Sequence, residues 1–220
     1  MRILPALLAL PILALASPAI AAEPTNRPTP GYVRIRLNTS AGAIVVALDA
    51  KRAPRTTANF LAYVDDGRLD GTVFYRAARK KIAPKFGFVQ GGIRQDARRM
   101  LPPFPLEKTS VTGIKHLDAT ISMARPAYGG SAGGNFFITV GAAPNMDANG
   151  AYEGYPAFGR VVAGMDVVKR ILAMPTCCGT GPMKGQMLRQ DVVIVTARRI
   201  DGTPRPTGGV KPWLIGVPRR

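Results

Sequence analysis

Phe86-Gly87-Phe88-Val89-Gln90-Gly91-Gly92 reads as a short strand. Successive side chains on a strand point to opposite faces, so Phe86, Phe88 and Gln90 share one face. Two further segments carry the same mixture. Alternation in Phe74-Tyr75-Arg76 sets Phe74 with Arg76, and in Asn135-Phe136-Phe137-Ile138 it pairs Asn135 with Phe137 and turns Phe136 away. One face therefore offers aromatic rings, an arginine and side-chain amides. A buried guanidinium needs partners, which makes such a face a costly core. It makes a suitable wall for a cleft that takes an apolar group flanked by peptide amides. Each segment alone reads equally well as aromatic core plus a surface arginine; the combination favours the cleft.

Outward from these segments the chain keeps the period of a strand. Val33, Ile35 and Leu37 alternate with Arg34, Arg36 and Asn38, Ser40-Ala41-Gly42 turns, and Ile44 to Leu48 returns as a hairpin partner. Further strand-like runs lie at Thr72–Arg76, Phe86–Gln90, Ala119–Met123, Asn135–Val140, Ala157–Val162 and Val192–Ile200, separated by Gly- and Pro-rich turns. Two helices are expected. Pro54 to Asp66 opens with a proline suited to a first turn, closes at Gly67, and gathers Phe60, Leu61 and Val64 on one face. The other runs from Met165 to Ala173, with Met165, Val168 and Leu172 aligned. Many short strands with two helices predict a mainly β fold, a closed or nearly closed barrel with helices on its open ends.

Composition narrows the chemistry. The 220 residues carry 30 Lys+Arg against 13 Asp+Glu, one histidine and two cysteines. That length suits one domain with tails. A lone His116 excludes two-histidine metal motifs, and Cys177-Cys178 cannot build a disulfide framework or a four-ligand zinc site. No G-x-S-x-G elbow, phosphate-binding Gly-rich loop, metal-ligand spacing or catalytic pair of carboxylates on a shared element appears, so neither a metal nor a cofactor is expected. An enzyme built from this chain must work through binding, hydrogen-bond donors and apolar surface. The net charge of +17 asks for a partner: nucleic acid, an anionic surface or acidic substrates.

The ends of the chain have their own character. Met1-Arg2, an apolar run from Ile3 to Ala16, and Ser17-Pro18-Ala19-Ile20-Ala21-Ala22 are the three parts of a secretory signal peptide. Pro5 and Pro11 interrupt the run, which is short for a spanning helix of ~20 residues. Residues 1–22 are thus expected to be a signal peptide cleaved after Ala21 or Ala22. A proline-rich linker at 23–31, a domain at 32–201 and a basic Pro/Gly-rich tail at 202–220 follow. The tail is expected to be mostly disordered, the alternative being that Trp213-Leu214-Ile215 docks on the barrel. Adjacent cysteines have Cα atoms ~3.8 Å apart against a usual disulfide span of ~4.4–6.8 Å, so a bond between them would be strained and reducible. Free thiols or intermolecular pairing are the alternatives.

Six motifs in order make the chain resemble the cyclophilin-type peptidyl-prolyl cis–trans isomerases, particularly the exported bacterial kind. They are Ala53 to Phe60, Val73-Phe74-Tyr75-Arg76, Phe88-Val89-Gln90-Gly91-Gly92, Ile121 to Arg125, Asn135-Phe136-Phe137-Ile138 and Ala157 to Val168. The resemblance spans about Tyr32 to Asp201. It implies a closed eight-stranded antiparallel β-barrel capped by two α-helices, and an enzyme that accelerates rotation about X–Pro bonds. Arg76 takes the place of the catalytic arginine and Gln90 of the glutamine supporting it. Phe86, Phe88, Phe137 and Met146 fall to the proline pocket, Phe88 being a firmer match than Phe86. Tyr155 falls at its edge, and Ala124 and Asn135 where substrate backbone is met.

The departures bear on substrate and partners. Ala77 to Lys85 is longer and more basic than in relatives, and Asn135 is one methylene shorter than the usual glutamine. Asn145 stands where cyclosporin-sensitive members carry tryptophan, which predicts weak cyclosporin binding. His116 matches a family histidine near a turn and is expected to be structural. Expected partners are proline-containing peptides and unfolded protein clients in the periplasm or outside the cell. Arg79, Lys80, Lys81, Lys85, Arg94, Arg98 and Arg99 would form a cationic rim favouring acidic clients or an anionic envelope surface, or a solvated basic surface without selectivity. Nucleic acid is not expected; the oligomeric state is undetermined by the sequence, with a monomer as the simplest expectation. The competing readings are a non-catalytic peptide-binding module or chaperone on the same barrel, and a basic protein docking on an anionic polymer.

Overall fold

The computed structural model describes residues 29–125 and 131–215. Its strands are β1 (Tyr32–Thr39), β2 (Gly42–Asp49), β3 (Thr72–Arg79), β4 (Gly87–Gly92), β5 (Phe104–Pro105), β6 (Thr120–Met123), β7 (Ser131–Ala132), β8 (Asn135–Val140), β9 (Ala157–Ala163), β10 (Thr176–Cys177) and β11 (Met187–Arg199). Eight of them pair antiparallel in the order β1-β2-β9-β6-β8-β4-β3-β11, and β11 pairs back onto β1 to close the barrel. Closure leaves these eight strands without a free edge. β10 lies outside on β11, and β5 with β7 forms a separate small pair.

Helices α1 (Pro54–Asp65) and α3 (Met165–Ala173) fall where the periodicity predicts; a one-turn helix α2 (Thr109–Thr112) is additional. α1 begins just beyond the end of β2, whereas α3 packs at its start, where Gly42 abuts Val167. The two helices thus close opposite ends of that strand. Both borrow caps from distant residues. No local side chain caps α1, and the Glu107 carboxylate instead accepts from Arg55 N and Thr56 N at 3.1 and 2.7 Å. That places an anion at the positive helix end. At the far end of α3, Arg79 donates to the Leu172 and Met174 carbonyls, both at 2.9 Å.

Inside, Phe60 of α1 meets Phe136 edge-on at 5.4 Å and Phe158 at 5.3 Å, while Phe74 meets Phe136 at 5.6 Å. Gly91 and Gly92 let the neighbouring strands approach this core. A Cβ on Gly91 would lie 2.9 Å from the Phe74 ring, and one on Gly92 would lie 2.2 Å from the Gly134 carbonyl oxygen, at a φ of +120°.

Two expectations are corrected. The register of β3 shifts between Phe74 and Arg76, so the strict alternation read from the sequence breaks there. Phe74 enters the core, fully buried, while Tyr75 and Arg76 both join the outer network around Gln90. The tail, expected to be mostly disordered, is largely exposed over 202–210 but is anchored at Thr207 and Trp213. Thr207 donates through N and Oγ1 to the Asp66 carboxylate at 2.7 and 2.6 Å, and Trp213 is buried beneath the guanidinium of Arg68, 4.6 Å from its ring. The expected signal peptide lies outside the described residues.

Candidate active site

β3, β4 and β8 are adjacent in the sheet, and their register sets the site. Arg76 pairs with Gln90, and Gln90 with Phe137, so three of the predicted residues stand in one row across the strands. Two positions back along β4, Phe88 packs on Phe137 with ring centroids 5.3 Å apart. Tyr155 meets Phe137 edge-on at 5.4 Å, and the Met146 carbonyl accepts from Tyr155 N at 3.0 Å, bringing Met146 to the same rim. Ala124 borders β8, its N–H donating to the Asn135 carbonyl at 2.9 Å.

The guanidinium of Arg76 lies 4.9 Å above the Phe88 ring. Nη1 donates to Gln90 Oε1 at 2.9 Å, while Nε and Nη2 both donate to Gln186 Oε1, at 2.9 and 2.7 Å. Three of the five N–H groups of an arginine are thereby engaged, leaving one on each terminal nitrogen. Among the described residues no carboxylate pairs with it. Burial pulls its pKa below the ordinary arginine value, yet a guanidinium keeps its proton at neutral pH. A half-buried cation held only by neutral amides retains its full charge for whatever enters beside the rings.

The network runs on beyond Gln90. Gln90 Nε2 donates to the Tyr75 hydroxyl at 2.8 Å, and that hydroxyl donates to Asn135 Oδ1 at 3.3 Å. Asn135 is therefore engaged differently from the expectation. Its Oδ1 also accepts from Arg94 N, and its Nδ2 donates to the Arg94 carbonyl, both at 2.7 Å. The shorter side chain clamps the turn after Gly91-Gly92. Phe86 stands apart from the ring cluster: it packs against Gly141, with Lys85 Nζ 5.3 Å from its own ring.

Behind Phe137 lies His116, stacked on it at 5.8 Å with the planes 10° apart. Asp147 Oδ1 accepts from both the His116 backbone N–H and Nδ1, at 3.0 and 2.7 Å, and Nε2 stands 3.0 Å from Ser122 Oγ. Asp147 can only accept, so the proton sits on Nδ1 and Nε2 takes the serine hydroxyl. His116 thus braces the back of the aromatic floor.

Residues of the expected cationic rim also make contacts within the molecule, Lys80, Arg94 and Arg98 while staying exposed. Arg79 caps α3, Lys80 donates to the Ala142 carbonyl, Arg94 pairs with Asp191, Arg98 with Asp96, and Arg99 bonds the Arg68 and Asp70 carbonyls. Lys81 and Lys85 remain exposed. Sequence reading did not find Gln186, Tyr75 or Asp147 as parts of the site. Gln186 sits in an irregular Gly/Pro-rich loop with no period to reveal its direction. Beside it, Cys177 and Cys178 are joined in a disulfide.

The family model described as cyclophilin type peptidyl-prolyl cis-trans isomerase/CLD matches residues 32–199. Peptidyl-prolyl cis-trans isomerase A of Dickeya dadantii is 35% identical over 175 residues, covering 80% of this chain and 86% of that protein. The cyp18 isomerase of Streptomyces antibioticus is 36% identical over 169 residues, covering 74% and 96%. In fold, the chain is similar to a cyclophilin-type isomerase of Cryptosporidium parvum, crystallised in the presence of the dipeptide Ala-Pro. The TM-score is 0.60 at 20% identity, covering 75% of this chain and 97% of that one.

Proposed function

The chain belongs to the cyclophilin-type peptidyl-prolyl cis–trans isomerases, and on that premise we propose an exported enzyme that turns X–Pro bonds in unfolded clients using Arg76 as its charged donor. Rotation about the X–Pro bond sacrifices amide resonance, with a barrier of ~18–20 kcal/mol. No bond is broken, so a site that binds the twisted amide better than either planar form is sufficient. Phe88, Phe137, Met146 and Tyr155 receive the proline ring away from water. The uncommitted N–H groups of Arg76 donate to the prolyl carbonyl, or to the imide nitrogen as it loses conjugation. Gln90 holds the guanidinium in place.

The observation that carries this reading is a guanidinium over the Phe88 ring, bound among the described residues only to amide oxygens. Family membership and the Ala-Pro dipeptide present with the C. parvum relative support proline-containing peptides as ligands. Asn135, its amide taken up by Arg94, shapes the wall and leaves substrate contact to others. Loss of one preorganised donor costs ~3–4 kcal/mol, so Arg76→Ala should lose about two to three orders of magnitude in kcat/KM. A protease-free exchange assay on an X–Pro peptide tests this. Activity within a factor of about three of wild type would overturn the role of Arg76.

Export rests on the three-part N-terminus, Met1-Arg2, the Ile3–Ala16 run and the small residues to Ala22. In a Gram-negative source the destination is the periplasm. The exposed Lys80, Lys81 and Lys85, in the segment joining β3 to β4, support a salt-sensitive attraction to anionic clients or envelope surface.

A further inference from the structure

Gln186 holds two of the Arg76 N–H groups, against one for Gln90, and its place depends on the two cysteines. Its backbone carbonyl accepts from Ala77 N at 2.9 Å, next to Arg76. Its own Nε2 donates to the Pro182 carbonyl at 3.0 Å, which turns Oε1 toward the guanidinium. The residues on either side of it are tied to the disulfide. Met187 pairs with Cys177 across β10–β11, and Gly185 N donates to the Cys178 carbonyl. The rest of the loop, 179–185, is mostly exposed and bound chiefly within itself. Cys178 is exposed as well.

We propose that Gln186 is a positioning residue for the isomerase reaction, and that the Cys177–Cys178 bond aims it, so that a dithiol reductant slows the enzyme by releasing the loop. The inference rests on the reading of Arg76 as the donor. In the reductive step a thiolate of the reductant attacks one sulfur of the bridge. The reductant's second thiol then closes its own disulfide, giving up two electrons and two protons in all, and Cys177 and Cys178 become thiols. The bridge closes a ring through the Cys177–Cys178 peptide, one residue short of the peptide whose carbonyl receives Gly185 N; once opened, the exposed loop regains conformational freedom and Gln186 spends less time on Arg76. Arg76 keeps Gln90 but loses the acceptor that fixes Nε and Nη2. A less fixed donor is a poorer match to the twisted amide, which moves kcat more than KM.

The test measures kcat and KM by protease-free exchange with the bridge state verified by mass. Gln186→Met, which keeps bulk without an acceptor, should lower kcat about tenfold with KM within a factor of about two. Reduction with dithiothreitol should lower wild-type kcat about fivefold, and Cys177→Ser/Cys178→Ser should run at the reduced rate in either buffer. In Gln186→Met, reduction should change nothing further, because the bridge acts through Gln186. Unchanged kcat in Gln186→Met, or a KM that rises as much as kcat falls, would sink the positioning role. A reduction effect that persists in Gln186→Met would sink the coupling. Arg76→Ala, run alongside, separates the two readings: if it is fast the donor reading fails and takes this one with it, and if it is slow while Gln186→Met is fast, this one alone fails.

Discussion

His116 shows how a single residue ties stability to pH. Burial lowers its pKa below the ordinary 6.5, against the opposing pull of Asp147. The folded chain therefore releases its proton more readily than the unfolded chain, which takes one up near the ordinary value. Between those two pKa values the unfolded state binds more protons, so stability falls as pH drops below 6.5 and levels off below the folded value. It is the chain's one histidine, so no other side chain of ordinary pKa titrates in that window. Thermal midpoints measured from pH ~7 to ~5 should fall for wild type and stay flatter for His116→Gln. Equal slopes would show that His116 does not carry the dependence. The residue was legible in the sequence as structural, but its partners were not: Asp147 is 31 positions away and Ser122 is 6, and neither spacing is a motif.

At the scale of elements, the barrel strands could be read because period-two alternation is local, and it failed at the β3 irregularity, where one residue changes faces. Caps and seats are not local. Glu107 reaches α1 across 51 positions and Arg79 reaches the end of α3 across 93. The C-terminal segment is a third case. Asp66 and Arg68 form an ion pair whose side chains are 0% and 5% exposed, and such a pair needs its remaining polar sites filled. Thr207 supplies hydrogen bonds to Asp66, and Trp213 covers Arg68. Trp213→Ala should therefore lower unfolding free energy by about 3 kcal/mol. The urea midpoint is the measurement, and an unchanged midpoint would mean that the segment is not seated in solution. Composition pointed the other way because proline and glycine betray no periodicity, while the driving force for docking resides in a buried charge pair on the α1–β3 connection.

For the whole molecule, the expected address can be tested by expression in a Gram-negative host. The periplasmic fraction should yield a chain beginning at Ala22 or Glu23 by intact mass, and a full-length chain retained in the cytoplasm would overturn export. The charge of +17 also takes a different form once the chain is folded. Arg79 and Lys80 bond carbonyls, which leaves their charge in place, whereas Arg94 and Arg98 are offset by Asp191 and Asp96. The sequence by itself determined the mainly β character, the two main helices, and the shared faces of Phe88 with Gln90 and of Asn135 with Phe137, because strand periodicity assigns faces without knowledge of distant partners; the eight-stranded closure and the place of Arg76 followed from the resemblance carried by six ordered motifs. Only the tertiary structure decided what holds the arginine: Gln186 arrives from 110 positions away, on a loop of irregular backbone braced by a disulfide. Closing the barrel brings β11 against β3, and which side chain of the approaching loop meets a guanidinium is a matter of three-dimensional reach that no local pattern encodes.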